Sequence, residues 1–401
     1  MTKPYYYARI PYKELFASPS IFPPSANTLE GAVAALHEFF TSPTPRGLPA
    51  STAVLSGAGL SVASGLADYR GPNGTYRVNK SFRPIFYQEF ISNHEARKRY
   101  WARSFLGWPT LEKAKPNAGH IAVADLARLG FVSGVVTQNV DSFHTKAHLS
   151  TPAVELHGYL RSVVCTSCRN ELPRIPFQEE LARLNPRWAE FLVEAIASGA
   201  LQSESPQERR ARGIRSNPDG DIDVPDAPYT TFRYPACPTC LSHPPPRPDG
   251  SEGVVEVDDD GAWQPTSSGG ILKPAVIMFG ESINNQVKLA ADETIDGAGR
   301  LLVLATSLAT YSAWRLAKKA KDRGMPIAIV NMGGVRGEDT FFKDLSPGQK
   351  GAEAVRTEIL TEQLLPALVK ELERSSRPSG MDGASLLSAH NGGAVFKDML
   401  S

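Results

Sequence analysis

The residues of this 401-residue chain best suited to chemistry lie at a few separated points. Its four cysteines form two Cys-x-x-Cys pairs, Cys165/Cys168 and Cys237/Cys240. Each pair can give two thiolates to one tetrahedral ion, and four sulfur ligands leave no open coordination position. The pattern points to one structural zinc ion and a reducing compartment, not to a disulfide framework. The alternative is a set of unligated core cysteines. His157 ends Val154-Glu155-Leu156-His157-Gly158, which reads as a short strand just before the first cysteine pair. An imidazole there is suited to accept a proton near neutral pH. The plain reading of a lone histidine is a satisfied structural residue. Thr137-Gln138-Asn139-Val140-Asp141 follows a strand read at Phe131 to Val136. Its polar residues either face a ligand beyond the strand's C-terminal end or cap a helix as an Asx-turn.

A third point is glycine-rich. Ala53-Val54-Leu55 reads as a buried parallel strand and runs into Ser56-Gly57-Ala58-Gly59-Leu60-Ser61, then Gly65. Closely spaced glycines let backbone N–H groups approach a pyrophosphate, and a following helix N-terminus favours negative charge. Val62 stands where the usual dinucleotide fingerprint has its third glycine, so a tight turn accounts for Gly57 and Gly59 equally well. Asp68-Tyr69-Arg70 then places a charged pair where phosphates and ribose would lie. That suggests chemistry on a nucleotide; the alternative is a solvated loop.

Strands and helices must gather these points. Asn27-Thr28-Leu29-Glu30 has capping-box spacing, with Leu29, Val33, Leu36 and Phe40 at helical intervals. From Gly71 to Trp108 a polar, aromatic segment interrupts the alternation. It holds Tyr76, Arg77 and a helix from Arg97 to Arg103 with a basic face, and reads as a lid. Pro116-Asn117 opens a helix with Ile121, Leu126 and Leu129 inward and Gly130 as its stop. Between the cysteine pairs lie a helix around Trp188 to Ile196 and a charged, exposed stretch from Ser203 to Arg215. After Cys240, Pro244-Pro245-Pro246, Asp258-Asp259-Asp260 and a Ser/Gly run read as a surface loop or disordered insertion. Strands follow at Ala275 to Phe279, Leu301 to Ala305 and Ile327 to Val330, with a helix from Ala313 to Arg323. They end in Gly280-Glu281, Thr306-Ser307 and Asn331-Met332-Gly333. A last helix runs roughly from Ala352 to Leu372, before a flexible tail.

The pattern predicts an α/β fold: a Rossmann-like parallel sheet with helices on both faces and a smaller inserted zinc-binding module. The expected boundaries are an N-terminal arm over 1–26 and the Rossmann-like domain over 27–157 and 271–373. Within it, 71–115 form a helical lid. The zinc module with its loop insertion spans 158–270, and 374–401 form the tail. Hydrophobic residues at 41% and charged residues at 21% are ordinary for a soluble globular protein. A net charge of +1 gives bulk electrostatics no pull on nucleic acid or membranes, and no apolar run has membrane-spanning length. Lys3, Arg9 and Lys13 precede the first acidic residue, Glu14, a faint likeness to a mitochondrial presequence. Tyr5, Tyr6 and Tyr7 fit a packing arm as well.

Taken in order, the motifs resemble the sirtuin family of NAD-dependent protein deacylases over residues 27 to 372. They are Gly57-Ala58-Gly59 with Ser61, Ser64-Gly65 and Asp68-Tyr69-Arg70; Thr137 to Asp141; His157-Gly158; and both cysteine pairs. Lys273-Pro274 with Phe279-Gly280-Glu281, Thr306-Ser307-Leu308 and Asn331 complete the set. Arg99-Tyr100-Trp101-Ala102-Arg103, Gly107-Trp108-Pro109, His144-Thr145-Lys146-Ala147 and Pro218-Asp219-Gly220-Asp221 are similar to the class II, mitochondrial branch. The family's Gly-Thr-Ser is Ala305-Thr306-Ser307 here, the loop after Cys240 is longer, and the tail has no counterpart.

The resemblance implies transfer of ADP-ribose from the co-substrate NAD to the carbonyl oxygen of an acyl-lysine, with nicotinamide leaving. It implies phosphate contacts from the backbone of Gly57 through Gly65 and from Thr306 and Ser307, with Leu308 beside them in the cofactor set. It gives a nicotinamide pocket at Asn139 and Asp141, flanked by Gln138 and Val140. His157 becomes the base for the ribose hydroxyls, and Asn331, Met332 and Gly333 touch adenosine. Ala58, Asp68, Tyr69, Arg70, Tyr76 and Arg77 join the cofactor set. Tyr76 and Arg77 either reach the acyl chain, where a cation favours an acidic group, or only order the loop over NAD. The expected partners are acyl-lysine proteins or peptides, met by a monomer. The expected location is the mitochondrial matrix, with nucleus and cytoplasm open. Class II relatives are associated with lipoyl, biotinyl and methylglutaryl-type groups. Protein mono-ADP-ribosylation and a non-catalytic NAD- and zinc-stabilised scaffold are the alternatives.

Overall fold

The computed structural model describes residues 16–79, 82–147, 150–199, 215–247, 249–343, 345 and 351–376. Tyr5 to Tyr7, the charged stretch up to residue 214 and the tail from residue 377 lie outside the described residues. In chain order the strands are β1 (Thr52–Ser56), β2 (Val132–Thr137), β3 (Ala153–Glu155), β4 (Gly158–Cys165), β5 (Glu171–Pro173) and β6 (Arg215–Ser216). They continue with β7 (Ile222–Asp223), β8 (Leu272–Val276), β9 (Arg300–Leu304), β10 (Ile327–Val330) and β11 (Ala354–Thr357).

Strands β1, β9, β10 and β11 are buried at every position. Runs of this kind have no solvent face and suit a parallel sheet covered on both sides. They form a six-stranded sheet in the order β11-β10-β9-β1-β2-β3, parallel throughout. The helices Leu29–Thr41, Ala118–Arg128 and Thr361–Ser376 cover one face, setting Leu36, Phe39, Leu126 and Leu368 against Val54 and Leu302. The helices Asn285–Asp296 and Tyr311–Asp322 cover the other, with Ile295 and Leu316 against Leu55 and Val303. The α/β fold with helices on both faces is therefore as expected. After β1 the chain continues to β2 on one side and later to β9 on the other. The order reverses there, and α/β sheets open a crevice at such a point.

A second core joins the helix His94–Lys113 to the cysteine-bearing segments, where β5-β4-β8 make a small sheet with antiparallel pairings. Here the structure corrects several expectations. The strand read at Ala275 to Phe279 is β8, three residues earlier, and it pairs with β4 instead of joining the parallel sheet. The stretch read as one helix from Ala352 opens with edge strand β11, and its helix begins at Thr361. Alternation was hidden there because β11 is buried on both faces. Thr28, not Asn27, caps the first helix, accepting from Gly31 N at 3.1 Å. Ile121 faces solvent, while Ala122, Val123 and Leu126 point inward.

The basic face read from Arg97 to Arg103 turns partly inward. Arg97 donates to the carbonyls of Phe90 and Ile91 and to the Tyr234 hydroxyl, and its guanidinium lies 4.7 Å over the Trp263 ring. Arg103 pairs with Asp221 at 2.6 Å. A guanidinium can be buried when carbonyls, carboxylates and ring faces replace its water. Part of the stretch after Cys240 is likewise packed. Trp263 is buried, donates Nε1–H to the Gly269 carbonyl at 2.9 Å and stacks on Tyr234. Arg233 pairs with Asp258 and Asp260, which ties that acidic run to the segment before Cys237 while Asp260 stays exposed.

Candidate active site

The crevice is a cavity of about 920 Å³. Its first wall follows β1, where the chain makes a short 3-10 helix, Ala58–Ser64, in place of an α-helix. Gly57 N–H donates to the Leu304 carbonyl at 3.0 Å and Gly59 N–H to the Ala305 carbonyl at 3.1 Å. Those two amides are engaged within the fold, so they are not free for a phosphate. The glycines serve close approach: a Cβ on Gly57 would sit 2.6 Å from the Thr306 Cβ. Gly57→Ala is therefore expected to force the β1 and β9 loops apart. Overpacking of this kind costs about 1–3 kcal/mol, which a denaturant midpoint measures; an unchanged midpoint would mean that the loops have room.

Asn139 and Asp141 follow β2 and meet the first wall at Ser61. The Ser61 hydroxyl donates to Asp141 Oδ2 at 2.6 Å, and Asn139 Nδ2 donates to Ser61 Oγ at 3.1 Å. Asp141 Oδ1 accepts Phe143 N–H at 2.9 Å. Asp141 is thus both the Asx-turn and part of the cleft. Burial raises its pKa, with the Ser61 and Phe143 hydrogen bonds acting the other way. Asn139 Oδ1 is buried with no partner among the described residues. An unpaired buried acceptor is costly unless a ligand donor fills it.

His157 sits in the turn between β3 and β4, just past the end of its strand. Its Nδ1 lies 3.1 Å from the Gln138 carbonyl, which can only accept, so Nδ1 carries the proton. Nε2 is left as the basic atom, 2.8 Å from Ser312 Oγ. Burial pushes the pKa down to about 4, partly opposed by the Gln138 carbonyl. The ring is consequently neutral at pH 7.

At the far end Asn331 Nδ2 donates to the carbonyls of Met332 and Gly333, and Gly333 N–H donates to Glu358 Oε1 at 2.7 Å. On the lid side Tyr76 is buried, with the Arg70 guanidinium 5.0 Å over its ring, whereas Arg77 is exposed. Tyr69 donates to Asp219 Oδ1 at 2.6 Å. Burial pushes the Asp219 pKa up to about 6, although the Tyr69 hydrogen bond lowers it.

Among the residues singled out for cofactor contact, all but Gly65 and Leu308 line this one cavity. Gly65 has φ 85° and caps the 3-10 helix. Leu308 packs in the core under the second face of the sheet. Thr310, Ser312 and Glu358 also line the cavity and were missed. For the first two a signal existed: they directly follow Thr306-Ser307-Leu308, at a strand end where ligands gather.

The cysteines are elsewhere; none of them lines the cavity. Their four Sγ atoms lie within 4.8 Å of one another, with Cys165–Cys240 at 3.5 Å and Cys168–Cys237 at 3.7 Å. A zinc–sulfur bond of about 2.3 Å gives a tetrahedron with edges of about 3.8 Å. The cluster fits a zinc ion, and the cysteines are positioned to hold it with no place left for water.

The Sir2 family model matches residues 57–312. NAD-dependent protein deacylase SIR4 of Batrachochytrium dendrobatidis is 40% identical over 291 residues, which cover 72% of this chain and 83% of that one. NAD-dependent protein deacetylase 1 of Streptomyces coelicolor is 41% identical over 285 residues, 71% of this chain and 78% of that one. A solved Sir2 enzyme superposes with a TM-score of 0.54 at 22% identity, covering 86% of this chain and 99% of that one. That last likeness speaks for the fold. With motifs, cleft and relatives in agreement, the chain belongs to the Sir2 family.

Proposed function

We propose that this chain is an NAD-dependent protein-lysine deacylase that favours bulky acyl groups such as lipoyl, biotinyl or methylglutaryl-type chains. The observation that carries the reading is the His157 imidazole, its Nδ1 on the Gln138 carbonyl, in the same cleft as the Ser61, Asn139 and Asp141 cluster. The relatives named above as NAD-dependent deacylase and deacetylase support it.

NAD supplies an electrophilic sugar carbon and a nicotinamide leaving group. The chain's own residues do the rest. The unpaired Asn139 Oδ1 suits the amide N–H of a carboxamide, with Ser61 and Asp141 fixing the Asn139 rotamer. The Gln138 carbonyl holds the Nδ1–H tautomer of His157, so Nε2 takes the proton of a ribose hydroxyl. Thr306 and Ser307 offer hydroxyls at the β9 end, and Asn331 to Gly333 receive the adenosine. Tyr76 fits loop ordering, while exposed Arg77 is the lid residue able to meet an acidic acyl group.

The test is an acyl-peptide panel with NAD. Nicotinamide release with O-acyl-ADP-ribose, greatest for the large acyl groups, supports the reading. Radiolabelled protein would favour ADP-ribosyl transfer, and neither product would leave a scaffold. The basic residues Lys3, Arg9 and Lys13 support a mitochondrial location, which organelle fractionation checks.

The burial of His157 sets a pH dependence. Its folded pKa of about 4 lies below the ordinary 6.5, so falling pH protonates the base only near that lower value. The acid limb of kcat/KM, which reports the free enzyme, is expected well below pH 6. A limb centred at 6.5 would mean that the base is solvated.

A further inference from the structure

Ser312 is not among the residues assigned a role above. It is the second residue of the helix Tyr311–Asp322, and its Oγ lies 2.8 Å from His157 Nε2. Its Oγ also lies 3.3 Å from Thr310 Oγ1. Thr310 Oγ1 donates in turn to Gln138 Oε1 at 3.1 Å. The direction of that last bond is fixed, because Gln138 Nε2 already donates to Thr306 Oγ1 at 2.8 Å and to the Ser56 carbonyl at 3.2 Å. Gln138 therefore presents its oxygen to Thr310.

Count the protons in this chain. When His157 is neutral, Nε2 bears only a lone pair, so the Ser312 proton must turn toward Nε2. Nε2 has one lone pair, so it takes the proton of a ribose hydroxyl only as Ser312 turns its own proton away to Thr310 Oγ1, whose proton stays on Gln138 Oε1 in both states. The new Nε2–H then has Ser312 Oγ as an acceptor. Every donor and acceptor is matched in either state. Buried beneath it, Nδ1–H stays on the Gln138 carbonyl throughout. One glutamine thus holds both ends of the device: its backbone oxygen on Nδ1, its side-chain oxygen behind Thr310.

We infer that Ser312 is a positioning residue for His157, a hydroxyl that turns from donor to acceptor as the imidazole gains its proton, with Thr310 and Gln138 fixing the acceptor orientation. The inference rests on the reading of His157 as the base. It predicts help that appears as the proton moves and not as NAD binds. A hydrogen bond to a charged group is worth enough to change a rate by about ten-fold.

The experiment compares Ser312→Ala, Ser312→Thr and Thr310→Val in the full chain. Ser312→Ala is expected to lower kcat for deacylation about ten-fold, with the KM and the measured Kd for NAD within about two-fold, a split that loss of NAD binding would not give. Ser312→Thr keeps the hydroxyl and is expected to restore kcat. In the protein without NAD, the His157 Nε2 nitrogen resonance is expected to shift in Ser312→Ala and stay in Ser312→Thr. Thr310→Val removes the acceptor orientation together with the N-cap bond from Ala313 N–H at 3.4 Å, so kcat falls, and an Nε2 resonance that holds shows that Ser312 has kept its place on His157. An unchanged kcat in Ser312→Ala or in Thr310→Val overturns the inference. So does a threonine as impaired as alanine, or an Nε2 resonance indifferent to Ser312. The resonance is read without turnover, so it tests Ser312 even if the acyl panel shows no deacylation by the unaltered chain.

Discussion

His157→Ala is expected to lower acyl-peptide turnover by about 10²–10⁴-fold, the range of positioned acid–base help, while NAD affinity changes only a few-fold. The two effects separate because the residues proposed to hold the dinucleotide are distinct from the imidazole. They stand on the loops after β1, β2, β9 and β10, each fixed by its own strand. His157→Asn sharpens the test, since its amide can still donate toward the Gln138 carbonyl but has no basic atom. If the loss comes from the base, asparagine is as inactive as alanine. If alanine merely opened a hole beside Ser312 and Gln138, asparagine would recover much of the rate. Deacylation at the unaltered rate in both variants would remove the imidazole from the reaction. Equal loss of NAD binding and turnover would make it a binding residue.

How far the sequence discloses this site follows from where its information sits. The Gly57 loop, Asn139, Asp141 and His157 were legible because each comes directly after an apolar run, and strand ends in a parallel sheet face one crevice. The contacts these residues make did not show, because the partners are remote in the chain. Ser61 meets Asp141 across 80 residues, and Ser312 meets His157 across 155. The inward turn of Arg97 depends on Tyr234 and Trp263, so local sequence reads only as a basic helix. The engaged amides of Gly57 and Gly59 show a different limit. A glycine pattern specifies that something comes close, but not whether it is a phosphate or the β9 strand. The edge strand β11 failed for want of alternation, being buried on both faces.

Stripping the metal from the cysteine cluster should unfold the small sheet and abolish activity without touching the chemistry. Structural zinc binds with apparent energies of about 10–16 kcal/mol in small zinc-dependent folds, and that energy is folding energy. Here Cys165 ends β4, while Cys237 and Cys240 sit in the same core as Trp101, Trp188 and Trp263. The route to the cleft is short. Strand β4 begins at Gly158, next to the base, and Ile277 N–H, just past β8, donates to the His157 carbonyl at 2.8 Å. Loosening β4 from β8 would free the His157 backbone. A chelator strong enough to compete for a four-thiolate site is therefore expected to red-shift the tryptophan emission and remove deacylation together. Zinc should restore both, and cadmium, another thiophilic tetrahedral ion, should restore at least the emission. Magnesium and manganese prefer oxygen ligands and should restore neither. Cys168→Ser should act in the same direction as the chelator. Full activity in a protein shown to be metal-free would detach the cluster from the cleft. Recovery with manganese, or turnover without NAD, would instead put a metal at the reacting bond, contrary to a site whose four ligands are all sulfur.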